Sequence, residues 1–177
     1  PVAGENLAPY AVAGAGQDWN WDSPPSNMID NDAYSAFQSV DSPVFPQYLY
    51  LDWEDTQTFD TFIMKTAYSQ GQAPTNWDLE VSADGETGWT HVASSGDIAW
   101  DGNDWHVEEY KLTFSPVQGK ALRIKINNAN LQLDHYAINE VLVKDSSVSP
   151  VNANIASETT SEWDSENGGL LTDGDLT

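Results

Sequence analysis

The chain has 177 residues with 28 acids against 6 bases, a formal net charge of −22 and no cysteine, and its 40% hydrophobic content marks a folded chain with a core rather than a disordered acidic one. So acidic a chain excludes nucleic acid, which needs clustered Lys and Arg, and argues against anionic lipid; it suits a cationic partner, a divalent metal, a saline habitat or solubility alone. No cysteine means no disulfide framework or thiolate site, no apolar run approaches the ~20 residues of a membrane span, and the opening "PVAGENLAP" lacks the basic and apolar regions of a signal peptide, so the chain reads as a piece of something larger.

The first forty-odd residues have few strand signals, and "GAGQDWNWDSPPSNMIDND" (14–32) is too rich in Gly, Asp, Ser and Pro for regular structure. "QYLYLDWE" then alternates Leu49, Leu51 and Trp53 against Tyr48, Tyr50 and Asp52. "NWDLEVSADG" alternates Trp77, Leu79 and Val81 against Asp78, Glu80 and Ser82, and turns at Asp84 and Gly85. "WDGNDWH" (100–106) holds a second Trp pair and reads as closing a hairpin or covering a core edge. "KALRIKIN" alternates Leu122, Ile124 and Ile126 against Arg123, Lys125 and Asn127. Period two over several short runs, with turn residues between them, predicts antiparallel sheets with one wet face, hence an all-β sandwich or barrel.

"DSSVSP" (145–150) reads as a linker. The following "NANIASETTSEWDSENGGLLTDGD" echoes the opening: Asn154-Ile155-Ala156 against Asn6-Leu7-Ala8, Trp163 against Trp19, and an apolar residue followed by acids at the end of each. This divides the chain into a module at 1–145, a linker at 146–153 and the truncated start of a second similar module at 154–177.

Two stretches carry chemistry. "NMIDNDAYS" (27–35) places side-chain oxygens at i, i+2 and i+5 of a tight loop, which can wrap a calcium ion but departs from the EF-hand spacing; an Asp/Asn-rich turn with no ion is the plainer reading. Glu140 stands inside the apolar strand "AINEVLV", and a carboxylate there needs a partner. Trp19 and Trp21 on a loop are candidates for a sugar platform, since an aromatic face covers the C–H face of a pyranose; the alternative is that they plug the end of the sandwich. The polar loops "YSQGQAPTN" (68–76) and "NNANLQLDH" (127–135) add Tyr68, Gln70, Asn76, Asn130 and Asp134 as candidates. His91, His106 and His135 are not spaced as a metal triad. No nucleophile elbow, zinc motif or phosphate loop occurs, and pairs of acids are inevitable in so acidic a chain, so an enzyme is not expected.

The order "NLA", a Trp-bearing loop, "NMIDND", "QYLYLDW", "NWDLEVSADGETGWTHVA", "KALRIKI" and "YAINEVLV" resembles the discoidin, or coagulation-factor type C, superfamily, in particular its bacterial family 32 carbohydrate-binding modules, over residues 5–144. The resemblance implies a jelly-roll-like antiparallel β-sandwich of about eight strands. It also implies a structural Ca2+, with side-chain ligands at Asp30, Ser35 and Glu140 and carbonyls near Asn27, Asp32 and Ala137. It further implies a shallow glycan site on the loops of a non-catalytic module, joined to a secreted bacterial glycoside hydrolase or polysaccharide lyase. Galactose-binding members of that family use a His or Glu, an Arg and an Asn around an aromatic residue. Here only Lys65 falls where the Arg is expected, and no His follows the calcium loop. A neutral polysaccharide, or a cationic one such as chitosan, fits Trp, amides and carboxylates better. An adhesion or protein-interaction module, or a structural spacer of the same fold, is the alternative function.

Overall fold

The computed structural model describes residues 4–68, 71–102 and 106–146. Gln70, Trp105, most of the expected linker and the whole of the tail that echoes the opening lie outside the described residues. The strands are β1 (Val12–Ala15), β2 (Phe37–Gln38), β3 (Gln47–Thr66), β4 (Pro74–Ser82), β5 (Thr90–Ser94), β6 (Glu108–Ala129), β7 (Ala137–Ile138) and β8 (Glu140–Lys144). The only helical pieces among the described residues are two 3₁₀ turns, Ala8–Tyr10 and Pro25–Met28. Among these residues no helix is long and apolar enough to cross a membrane.

β3 and β6 are long enough to serve two layers. Their first pairing runs Gln47↔Ile126 to Asp52↔Ala121, the register then shifts between Asp52 and Gln57 and again between Phe59 and Thr61, and pairing resumes from Thr61↔Thr113 to Thr66↔Glu108. The first register break falls where Glu54, Asp55 and Thr56 are exposed and the second at buried Phe59–Thr61, so the strand pair bends through water and turns back into the core. One end of the pair joins β1, β4 and β5 in the order β1-β3-β6-β4-β5; the other end joins β8, which pairs β3 at residues 61–65. A five-stranded and a three-stranded layer result, all antiparallel. The expected eight-stranded antiparallel sandwich is the observed one.

The predicted inward faces form the core. Leu49, Leu51, Trp53, Trp77, Leu79, Leu122, Ile124 and Ile126 are buried, and their alternating partners line the wet face. The layers meet through rings: Trp77 of β4 is edge-on to Tyr110 of β6 at 5.5 Å, and Phe59 is edge-on to Phe114 at 6.4 Å. Trp100 covers the core edge as expected, stacked on Trp77 with its indole N–H donated to the Pro74 carbonyl at 2.8 Å. Ser82 departs from the alternation. It is buried because its hydroxyl organises the turn that ends β4, donating to Asp84 at 2.8 Å and accepting from the Gly85 N–H at 3.1 Å. The opening segment is also more regular than expected, since residues 12–15 add an edge strand to β3.

Candidate functional site

Residues 25–42 run from the second 3₁₀ turn through β2, and they support two neighbouring features. The 3₁₀ turn Pro25–Met28 buries Met28 and leads into a loop whose oxygens converge. Ser35 Oγ lies 2.6 Å from Asp30 Oδ2, 3.2 Å from the Asp32 carbonyl and 3.3 Å from the Asn27 carbonyl. Asp30 Oδ1 accepts the Asp32 N–H at 2.9 Å, and Asn31 turns the chain at φ 64°. A hydroxyl has one proton and cannot donate to three acceptors at once, so this oxygen cluster is richer in acceptors than its own donors satisfy.

Glu140 closes the cluster from β8. It is 5% exposed, and both carboxylate oxygens lack a hydrogen-bond partner among the described residues. Burial, and then the negative charge of Asp30, push its carboxyl up to about 7. The Asn31 N–H and Lys65 offset part of this without giving either oxygen a full hydrogen bond. Asn139 braces the arrangement: its Nδ2 donates to the Ser35 carbonyl at 3.0 Å and its Oδ1 accepts the Ala67 N–H at 2.8 Å. Ala137 lies in β7, opposite Gln38, with its N–H donated to Gln72. Among the described residues no three His, Cys, Asp or Glu side chains gather as a metal set. A metal here would therefore be held by the two carboxylates of Asp30 and Glu140, the Ser35 hydroxyl and neutral carbonyls. That donor set is all oxygen, which suits a hard cation such as calcium.

The second feature is the Trp loop. Trp19 bridges Ser39, and the Asn20 N–H donates to the Gln38 carbonyl at 3.0 Å, with Asn20 Nδ2 also 3.2 Å from Gln38 Oε1. The Gln38 N–H in turn reaches the Ser23 carbonyl at 3.2 Å, so the loop is zipped onto the end of β2 on both sides of Trp21. Its side chains are left outside: Trp19 is 40% exposed and Trp21 87%. The alternative that they plug the sandwich is therefore not what the fold does with them. With Asp18 they line an open depression of about 570 Å³, and Asn20, Ser39, Val40 and Asp41 line a second one of about 310 Å³. The oxygen cluster lies on the same chain segment, between the Trp loop and β2, with Asn27 Nδ2 donating to the Ala36 carbonyl at 3.0 Å.

The other candidates form a separate group of loops. Tyr68 accepts the N–H groups of Gly71 and Gln72 on its carbonyl, the Asn130 N–H reaches Ala73, and the Gln132 N–H reaches Gly71. Asp134 turns at φ 62° and its carbonyl accepts the Ser42 N–H at 2.6 Å, while its neighbour His135 lies 3.6 Å from Asp41. Through 39–42 this group is tied to the Trp loop. Asn76 belongs to neither: its Nδ2 donates to Asp97 at 2.7 Å and its Oδ1 accepts from Asn127 at 3.0 Å, on the wet face of β4 and β6. Lys65 lies on β3 between Glu109 of β6, 4.0 Å away, and Glu140 of β8, whose charge it offsets, and so is engaged within the three-stranded layer. Asp18, Asn20 and Asp41 escaped the sequence reading as site residues. The first two flank Trp19 and were open to notice, but Asp41 reaches the site only through the Trp19–Ser39 bridge.

A search of the curated proteins finds no match. Among solved structures, the chain is similar in fold to the CBM32-5 module of CpGH89 from Clostridium perfringens, in complex with GalNAc-β-1,3-galactose (17% identity, TM-score 0.66, covering 79% of this chain and 99% of that one). It is similar to the family 32 module of NanJ from Clostridium perfringens in complex with galactose (19% identity, TM-score 0.64, covering 78% and 96%). It is also similar to chitosan-binding module 1 of a chitosanase/glucanase from Paenibacillus sp. IK-5 (21% identity, TM-score 0.62, covering 78% and 98%). The family model of the F5/8 type C domain matches residues 11–141, from β1 to the second residue of β8, and so spans both the sandwich and the loops that carry the two features. The chain belongs to the F5/8 type C domain family.

Proposed function

We propose that this chain is a non-catalytic carbohydrate-binding module of the family 32 type, carried by a secreted bacterial polysaccharide-degrading enzyme. The observation that carries the reading is the Trp loop: two indoles held outside the fold by a loop zipped onto β2, flanking an open depression with Asp18. Leaving Trp21 almost wholly in water forgoes about 1.5–3 kcal/mol of burial, and a loop fastened on both sides of it has no folding reason to do so. The indoles would cover pyranose faces, and Asn20, Asp18 and Asp41 would take hydroxyls or other polar groups around them. The site is shallow, so single-site binding is weak, and a neighbouring module would raise it through effective concentration.

In this reading a structural calcium ion belongs at the oxygen cluster, held by Asp30, Ser35 and Glu140 with carbonyls of the 27–32 loop. The unpartnered Glu140 oxygens support it. The ion would brace the segment that supports the Trp loop and tie it to β8. The likeness to sugar-bound family 32 modules supports the carbohydrate reading, while the position of Lys65 against Glu109 does not favour the usual galactose contacts.

Affinity electrophoresis and Trp fluorescence against a panel of soluble polysaccharides test the reading. A specific ligand should retard the protein and shift its emission. Trp21→Ala, and more mildly Trp19→Ala, should weaken binding roughly tenfold, since a stacked aromatic contributes about 1–2 kcal/mol. Silence across the panel, or binding retained in the double variant, would overturn it. Emission that shifts only with zwitterionic lipid vesicles would move the indoles to a membrane interface instead.

A further inference from the structure

We propose that the outer face of the three-stranded layer, which carries Lys65, Lys111 and Lys144, docks the acidic segment 158–175 of this same chain. The face follows from the register. Thr61 pairs with Thr113 and Lys144, Ile63 with Lys111 and Leu142, and Lys65 with Glu109 and Glu140. Directly opposed residues of a sheet share a face. The alternate residues Phe62, Met64, Val141 and Val143 are buried in the core, so this set points outward. It holds three of the six Lys and Arg residues of a chain whose net charge is −22. Its acids are already engaged: Glu109 lies 4.0 Å from Lys65, and Glu140 is buried at the oxygen cluster. Lys111 and Lys144, on either side of β3, have no ion-pair partner among the described residues.

A partner for this face must bring negative charge, and the chain delivers its own there. Ser146 is clasped by Asp60: its N–H donates to Oδ1 at 3.0 Å and its hydroxyl to Oδ2, while the Thr61 hydroxyl donates to Oδ1 at 3.0 Å. The chain therefore leaves the sandwich at the Thr61–Lys144 corner of this face. Segment 158–175 then follows, with Glu158, Glu162, Asp164, Glu166, Asp173 and Asp175 and no base. Residues 147–157 can span about 35 Å when extended, whereas the face runs about 13 Å from Thr61 to Lys65, so the first of these acids can reach every lysine on it. One surface ion pair contributes little, but tethering the acids beside the lysines gives them a high local concentration. A free anionic partner, or a second copy of the chain, would first have to approach against the repulsion of the whole acidic molecule; an attached segment does not.

The chain has no cysteine, so Ser161→Cys in the whole chain takes a single nitroxide spin label. With the label oxidised, the amides of residues 61–65, 109–113 and 140–144 should lose most of their NMR intensity relative to the reduced label, while those of β4 in the other layer keep theirs. The loss should disappear at about 1 M NaCl, where the screening length is about 3 Å. It should also disappear in Lys111→Glu with Lys144→Glu. Glu158→Gln with Glu162→Gln and Asp164→Asn removes the partner charge outside the sandwich and should have the same effect, so a lysine variant that failed to fold would leave the test standing. Uniform weak broadening, or broadening indifferent to salt and to both sets of substitutions, would overturn the inference. Broadening of the same face in a mixture of spin-labelled chain and isotope-enriched unlabelled chain would overturn it too, because the occupant would then be a second copy.

Discussion

Glu140 is the residue whose chemistry is least explained by the strand that carries it. Burial and Asp30 raise its carboxyl from 4.5 to about 7, so between those values the folded chain holds a proton that the unfolded chain has released. The stability linked to this group is therefore fully present below the unfolded value and is lost as pH rises through the folded one. In chelator, Glu140→Gln should be more stable than the natural chain by about 2 kcal/mol at about pH 8 and nearly equal to it at about pH 4, a difference read by urea unfolding. Asp60 and Asp78 are shifted the other way by their hydrogen bonds, so the difference between the two chains, rather than the raw profile, isolates Glu140. Calcium should raise the melting temperature of the natural chain and leave that of Glu140→Gln nearly unmoved. A chelator-insensitive natural chain would sink the metal assignment. The sequence had already exposed this residue, because a carboxylate in "AINEVLV" violates an apolar pattern; its orphaned oxygens became visible only once β8 was docked against the 27–35 loop.

At the scale of elements, the fold depends on β3 and β6 crossing from one layer to the other, and the return of β6 into the five-stranded layer runs past Gly119. A Cβ there would lie 2.2 Å from Val81 Cγ2 and 2.9 Å from the Ser82 carbonyl. Gly119→Ala should cost roughly 1–3 kcal/mol by overpacking. Gly14→Ala on β1, whose Cβ would meet nothing within 4 Å, is the matched control and should be near neutral. Thermal melting of the two variants separates them; equal melting temperatures would mean that β6 passes β4 with more room than this. Strands such as Leu49–Leu51–Trp53 were legible because one face is dry and the other wet. β1 was not, since "VAGA" has few β-branched or large side chains and acquires its strand form only by pairing with residues 49–52.

The whole molecule carries a charge of −22, and few of its acids have a basic partner. Self-repulsion of that size works against the compact state and is weakened by salt. The melting temperature in chelator should therefore climb as NaCl is raised from low to physiological strength and then level off once the screening length falls below the spacing of the surface acids. A flat or falling curve would mean that the acids are already spaced widely enough to ignore one another. Calcium held at the proposed oxygen cluster should add to the plateau, because it would neutralise the buried Glu140 carboxylate, which salt screens poorly.

The sequence by itself determined the class of fold and the inward face of each main strand, and it singled out the two stretches proposed as sites, because alternation, turn residues and misplaced polar or aromatic groups are local signals. Tertiary structure decided the rest. Whether Trp19 and Trp21 face water or core depended on a bridge to Ser39, some twenty residues away, and no local pattern reports that. Asp41 and Asn139 joined the two features by the same kind of long-range pairing, while Asn76, equally plausible as an amide on a loop, was drawn off to Asp97 and Asn127. The physical reason is general to antiparallel sandwiches: periodicity says which side of its own strand a residue takes, but the grouping of loops at an end is set by which strands pair and in what register.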